Sequence, residues 1–154
     1  MPSVDRMTIQ RFIAQQKLAV VSSLSPAGKP QSALVGIASG DQMEIVFDTI
    51  RSTRKFENMI ANPEVSLVIG LGGAITVQYE GKATELQGED LAEYQKLYFE
   101  AWPDGPSRLE WEGITYFLVV PAWIRYSDFS QTPPVITEIE CHGFRQLTPY
   151  GRVR

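Results

Sequence analysis

One cysteine, Cys141, and one histidine, His142, are all that the 154-residue chain has of either type. A lone cysteine excludes an intramolecular disulfide and points to a reducing compartment. A structural zinc site takes four ligands, mostly Cys and His at close spacing, and this pair cannot supply them, so no metal site is expected. A Ser-His-Asp hydrolase would have to use His142, and no G-x-S-x-G turn is present to carry its serine. The absence of G-K-[ST] excludes a P-loop. The glycines of GLGGAI at 70–75 run into ITVQY, which is strand rather than helix, so they read as a hairpin turn and not a dinucleotide loop. Excess positive charge is also lacking. A formal net charge of -4 excludes the basic face of a general nucleic-acid binder. The longest weakly polar run, 67–77, contains glycines and Thr76 and is too short to cross a bilayer. The opening MPSVDRMTIQ has no apolar core of a secretory signal. The expectation is a soluble cytoplasmic protein with no nucleic-acid or membrane partner.

Hydrophobic residues at 44% and charged residues at 21% are ordinary for one globular domain. Residues 8–16 predict a short helix with Ile9, Phe12 and Ile13 on one face, capped by Asp5 or Thr8. Segments 18–24 and 31–38 read as a hairpin around SPAGKP, with 43–48 as a third strand, which together imply an antiparallel meander. Segments 65–71 and 75–86 form a second hairpin, and Gly81 marks a bulge or bend in its long arm. Residues 89–102 predict the clearest amphipathic helix, stopped by PDGP. Residues 116–120 and 123–129 read as strands broken by Pro121, and 135–139 is compatible with an edge strand. Strands, antiparallel turns and helices add up to a β-barrel with helices outside.

The most informative stretch is VFDTIRSTRKFENMIANPEVSLVI at 46–69. Met43, Ile45 and Phe47 alternate with Glu44, Val46 and Asp48, the period of a half-buried strand. Phe56, Met59 and Ile60 then follow helical spacing, Asn62-Pro63 ends the helix, and Val65, Leu67 and Ile69 resume the strand period. Ser52 and Thr53 are candidate N-caps. Arg51, Arg54 and Lys55 crowd this helix start, where unpaired N–H groups and the helix dipole already place positive charge. Each exposed cation there is unfavourable by about 0.3–1 kcal/mol. Either they are simply solvated, or an anion belongs among them. A phosphate suits free N–H groups, hydroxyls and Arg/Lys side chains.

The run R-S-T-R-K-F-x-N-x-x-x-N-P-x-V-S-L at 51–67 resembles the signature of the pyridoxamine 5′-phosphate oxidase-like, FMN-binding split-barrel superfamily, with weaker similarity over 12–129. The resemblance implies a mainly β fold with peripheral helices, an antiparallel split β-barrel that is homodimeric and binds FMN between subunits. It implies that QSALVG, with Gln31, Ser32, Ala33 and Leu34, offers backbone amides to the flavin ring. Asp48 and Thr49 match the residues near the phosphate-ribityl tail, and Thr53, Arg54 and Lys55 match the phosphate clasp. Thr76, with Gln78 as the alternative register, matches a polar residue that reaches the flavin, often from the other subunit. VVPAWIRYSD resembles the last barrel strand, which puts Trp123 on the flavin's side.

The chain also departs from the vitamin B6 oxidase itself. That enzyme's early strand reads R-x-V-L-L-K, and here Gln31 and Gly36 replace its Arg and Lys; its R-L-H-D-R segment is replaced by WIRYSDF. No catalytic residue is assigned. The expected function is an FMN-dependent oxidoreductase acting on a small molecule. The alternatives are a non-catalytic barrel binding flavin, haem or F420, and a ligand-free dimerisation module. Residues 1–131 are expected to form the flavin-binding domain, with 132–154 a C-terminal extension that is an edge strand or dimer-packing tail.

Overall fold

A computed structural model describes residues 2–147. Its elements are α1 (Arg6–Ala14), β1 (Leu18–Leu24), β2 (Pro30–Gly36), β3 (Ala38–Ser39), β4 (Ile45–Ile50), α2 (Arg54–Ala61), β5 (Glu64–Ile69), β6 (Ile75–Glu85), α3 (Gly88–Ala101), β7 (Ile114–Asp128) and β8 (Val135–Glu140), with a 3₁₀ segment at Gly105–Glu110. The strands form one antiparallel sheet in the order β2-β1-β5-β6-β7-β4-β3, and β8 also pairs with β7. The sheet curls into the half-barrel of a split barrel, bringing β2 close to β4 without hydrogen-bonding them.

Period-2 alternation builds the interior. Val21, Phe47, Leu67, Val77, Tyr79 and Phe117 meet inside the curl, and α1 closes one end with Ile9 and Ile13. Asp5 caps α1, accepting from the Thr8 amide at 2.8 Å. The Tyr79 hydroxyl donates to the Met43 carbonyl at 2.7 Å and lies 3.1 Å from that of Val119. A second core lies outside the barrel, where α3 lays Tyr94 and Tyr98 on Val46, Tyr116 and Leu118. Beyond β8, Phe144 and Leu147 join this outer core, and Arg145 pairs with Asp90 at 2.7 Å and Glu93 at 2.8 Å. The remainder of the expected C-terminal extension, 148–154, lies outside the described residues.

Two expectations need correction. The 18–48 region is not a three-strand meander. β1 and β2 do form a hairpin, but β4 pairs with β7 and with the short β3. Ile45, Val46 and Phe47 are all fully buried, so β4 is a strand covered on both faces, not the half-solvated third arm of a meander. Nor does Pro121 break the last strand. β7 runs continuously, and the register with β6 shifts between Glu80 and Gly81, which leaves Ala122 as the extra residue. A bulge tolerates proline because the ladder is interrupted there already.

No helix among the described residues is long and apolar enough to cross a membrane. Among the described residues there is also no cluster of three His, Cys, Asp or Glu able to hold a metal.

The bulge predicts a test. A Cβ at Gly81 would stand 2.4 Å from the Val120 carbonyl oxygen. Gly81→Ala is expected to lower the unfolding free energy by about 2 kcal/mol or more in urea denaturation.

Candidate functional site

The start of α2 is built by Thr53. Its hydroxyl donates to the Ile50 carbonyl at 2.8 Å, accepts from the Phe56 amide at 3.4 Å and lies 3.1 Å from the Thr49 hydroxyl. Thr53 is thus the helix cap, a role worth about 1 kcal/mol. The amides of Arg54 and Lys55, first in the helix, have no intrahelical acceptor.

In front of this helix start lies a cleft of about 370 Å³. Ser52, Thr53, Arg54 and Lys55 form one side, and Ser23 of β1 with Gln31, Ser32 and Ala33 of β2 form the other. Six of the residues proposed from the sequence, Gln31, Ser32, Ala33, Thr53, Arg54 and Lys55, are therefore brought together. Leu34 follows on β2 and is 61% exposed. Thr49 is buried behind Thr53. Thr76 and Trp123 do not line this cleft. The Thr76 hydroxyl bonds the Ile69 carbonyl at 3.5 Å, and Trp123 stands between Glu80 and Glu140 in the sheet.

The charges are partitioned. Arg51 is drawn away from the cleft by the buried Glu85, at 2.9 Å, and stacks on Phe56. Asp48, whose carboxylate threatens any bound anion, is held by Arg108 at 2.8 Å and by the Tyr98 hydroxyl at 3.3 Å. Arg108 also bonds Asp104 at 2.7 Å, which anchors the 3₁₀ segment against β4. The side-chain bond from Asp48 raises the Arg108 pKa above its ordinary value. Burial pushes the Tyr98 hydroxyl up, and the Asp48 charge adds to it, so Tyr98 stays protonated and donates. Burial pulls the Lys55 pKa down, and Asp48 partly opposes that. The cleft itself presents an exposed guanidinium, an ammonium, hydroxyls and amides, and no carboxylate among its lining residues. This donor set fits a phosphate.

Sequence reasoning missed Ser23, Ser52, Arg108 and Asn58. Asn58 carried a readable signal, since it is a polar residue beside Met59 on the buried face of α2. Arg108 carried none, because it lies sixty residues from Asp48.

A family model for pyridoxamine 5′-phosphate oxidase matches residues 6–126. The chain belongs to the pyridoxamine 5′-phosphate oxidase family. Solved structures agree on the fold of this family. The chain resembles General Stress Protein 26 from Bacillus anthracis str. Sterne at a TM-score of 0.66 and 22% identity, over 86% of this chain and 97% of that one. It resembles a pyridoxamine 5′-phosphate oxidase-related, FMN-binding protein from Nostoc punctiforme PCC 73102 at a TM-score of 0.63 and 13% identity, over 90% and 96%. It also resembles a haem-binding protein from Mycobacterium smegmatis at a TM-score of 0.76 and 13% identity, over 91% of this chain but only 60% of that longer one. No curated protein matches the sequence.

The Asp48–Arg108 pair predicts a double-mutant result. The two side chains are each only 16% exposed. Arg108→Met strands the carboxylate and is expected to cost about 2 kcal/mol of stability. Adding Asp48→Asn should restore most of that loss in the same urea measurement.

Proposed function

We propose that the cleft binds FMN through its phosphate, that the protein is a homodimer, and that it serves redox chemistry on a small molecule. The observation that carries this reading is the carboxylate-free lining around Arg54, Lys55 and the first turn of α2. An FMN phosphate carries about two negative charges near neutral pH. Arg54 and Lys55 would hold it by charge-assisted hydrogen bonds of about 1.5–3 kcal/mol each. Asp48 is kept from repelling it by Arg108. Among the described residues β2 pairs only with β1, so its outward amides at 31–34 are free to meet the polar edge of the flavin. Bound flavin supplies the electron- or hydride-transfer chemistry, and the protein orients it. The family membership supports a flavin, and the FMN-binding neighbour supports FMN.

The dimer is supported by an apolar strip on the outer face of the sheet. Leu34, Val20 and Val68 are cross-strand neighbours there, and Leu34 and Val68 are 61% and 41% exposed. Thr76 and Trp123, away from the cleft of their own subunit, would then contribute to the partner's flavin. The substitutions at Gln31 and Gly36 set the substrate apart from that of the vitamin B6 oxidase. A Cβ at Gly36 would meet the Trp102 ring at 2.7 Å, so a lysine there would require that ring to move. A cytoplasmic location is part of the same proposal, carried by the single cysteine.

A second reading is a non-catalytic flavin carrier or sensor. It is favoured by the cleft lining, which contains no His, Cys, Asp, Glu or Tyr to act as acid or base. The same lining offers haem no axial ligand and so speaks against haem here. Reduction by NAD(P)H followed by turnover with an acceptor would decide for the enzyme.

Fluorescence quenching tests the binding. FMN should bind the wild type and be preferred over riboflavin. Arg54→Ala with Lys55→Ala should weaken FMN by about a hundredfold or more while leaving riboflavin nearly unchanged. Absence of FMN binding to the wild type would overturn the proposal. The pH dependence has a definite sign. The phosphate prefers protonated Lys55 and raises its depressed pKa, so affinity is full below the free-state pKa and falls as the pH rises from there towards the bound-state value. Lys55→Met should flatten that slope.

A further inference from the structure

One wall of the cleft is held from behind by a buried amide. Asn58, on the inner face of α2, is 2% exposed. Its side-chain nitrogen donates to Gln31 Oε1 at 2.9 Å and to Ser23 Oγ at 3.0 Å. Both amide hydrogens are used, and no water is needed to satisfy them. Gln31 and Ser23 themselves line the cleft beside Arg54 and Lys55. With its oxygen turned to Asn58, Gln31 is left with its amide nitrogen for the cleft. With a lone pair occupied by Asn58, Ser23 still has a hydroxyl proton to give. Neither of those donors has a protein acceptor among the described residues.

We propose that Asn58 is a positioning residue that sets the hydrogen-bond polarity of the cleft. By occupying acceptor atoms of Gln31 and Ser23, it commits this wall to donation, and so selects a ligand edge made of carbonyl or phosphoryl oxygens. The inference rests on the FMN reading of the cleft and adds a residue that does not touch the ligand. The opposite arrangement would turn the Gln31 N–H groups inward and set a carbonyl oxygen against ligand oxygens. It would also leave Asn58 hydrogens unmet in a site closed to water, which costs more than a normal hydrogen bond contributes. The donors on this wall stand opposite the cations of the helix start, so a bound anion is met from both sides.

The test uses the full-length protein and FMN. Asn58→Leu removes the donors without adding charge, and Gln31→Met with Ser23→Ala removes both groups through which Asn58 acts. Each of these two variants is expected to bind FMN at least about tenfold more weakly by fluorescence quenching, the worth of roughly one hydrogen bond to a charged or strongly polar acceptor. Their combination should be no weaker than Gln31→Met with Ser23→Ala by more than about twofold, because the three side chains act as a unit. Additive losses would mean that Asn58 is merely structural. A second measurement needs no folded Asn58 variant. In ¹H–¹⁵N spectra of the wild type, the Gln31 side-chain amide pair, assigned by its loss in Gln31→Met, should shift on FMN addition. An unmoved pair would overturn the assignment. If the wild type binds FMN, loses it with Arg54→Ala and Lys55→Ala, yet tolerates Asn58→Leu, only the polarity inference falls. If the wild type binds no FMN, the reading of the cleft falls first and this inference with it.

Discussion

The pairing of β6 with β7 is the constraint on which the rest of the molecule depends. β7 is 15 residues long and serves as partner to β4 at its start, to β8 at its end and to β6 along most of its length. A flat strand of that length would hold a flat sheet. The extra residue Ala122, opposite the side-chain-free backbone of Gly81, adds twist and bends the strand. That bend carries β4 round towards β2, and the turn after β4 then starts α2 beside the β1–β2 hairpin. The cleft exists because these two parts of the chain, far apart in sequence order of pairing, are brought face to face.

Within that frame the site is shaped by the disposal of charge as much as by its presence. Arg51 and Asp48 stand next to the cleft in sequence, and each is diverted by a partner contributed from elsewhere, Glu85 at the end of β6 and Arg108 after α3. What remains facing the opening is of one sign. A bare cluster of cations at a helix start is mildly unstable, and a binding protein can keep it because its ligand relieves the repulsion. The same economy extends to neutral groups, where the buried amide of Asn58 consumes acceptors and leaves donors in front.

Much of the architecture was legible in the residue pattern. Segments 18–24 and 75–86, the Gly81 irregularity, the Asp5 cap and the amphipathic face of α3 all express short-range rules of period, capping and turn chemistry. The signature at 51–67 located the helix start and with it half of the residues that line the cleft. The pairing of β4 was not legible. Alternation states which face of a strand is apolar and is silent on which strand lies beside it. Val46 reads as the outward residue of a half-buried strand, and only α3, folding back from forty residues later, makes that outward face a core.

The sequence by itself determined most of the elements, the likeness of the chain to a flavin-binding family and the presence of surplus cations at one helix start, because each of these is written in residues close together along the chain. The tertiary structure alone decided which cations are free, which carboxylate is silenced and which way the polar groups of the cleft are turned. Those outcomes depend on contacts such as Asp48 with Arg108 and Asn58 with Ser23, between residues whose separation along the chain leaves no local trace. Electrostatic and hydrogen-bond partners are set by distance in space, and distance in space is what folding supplies.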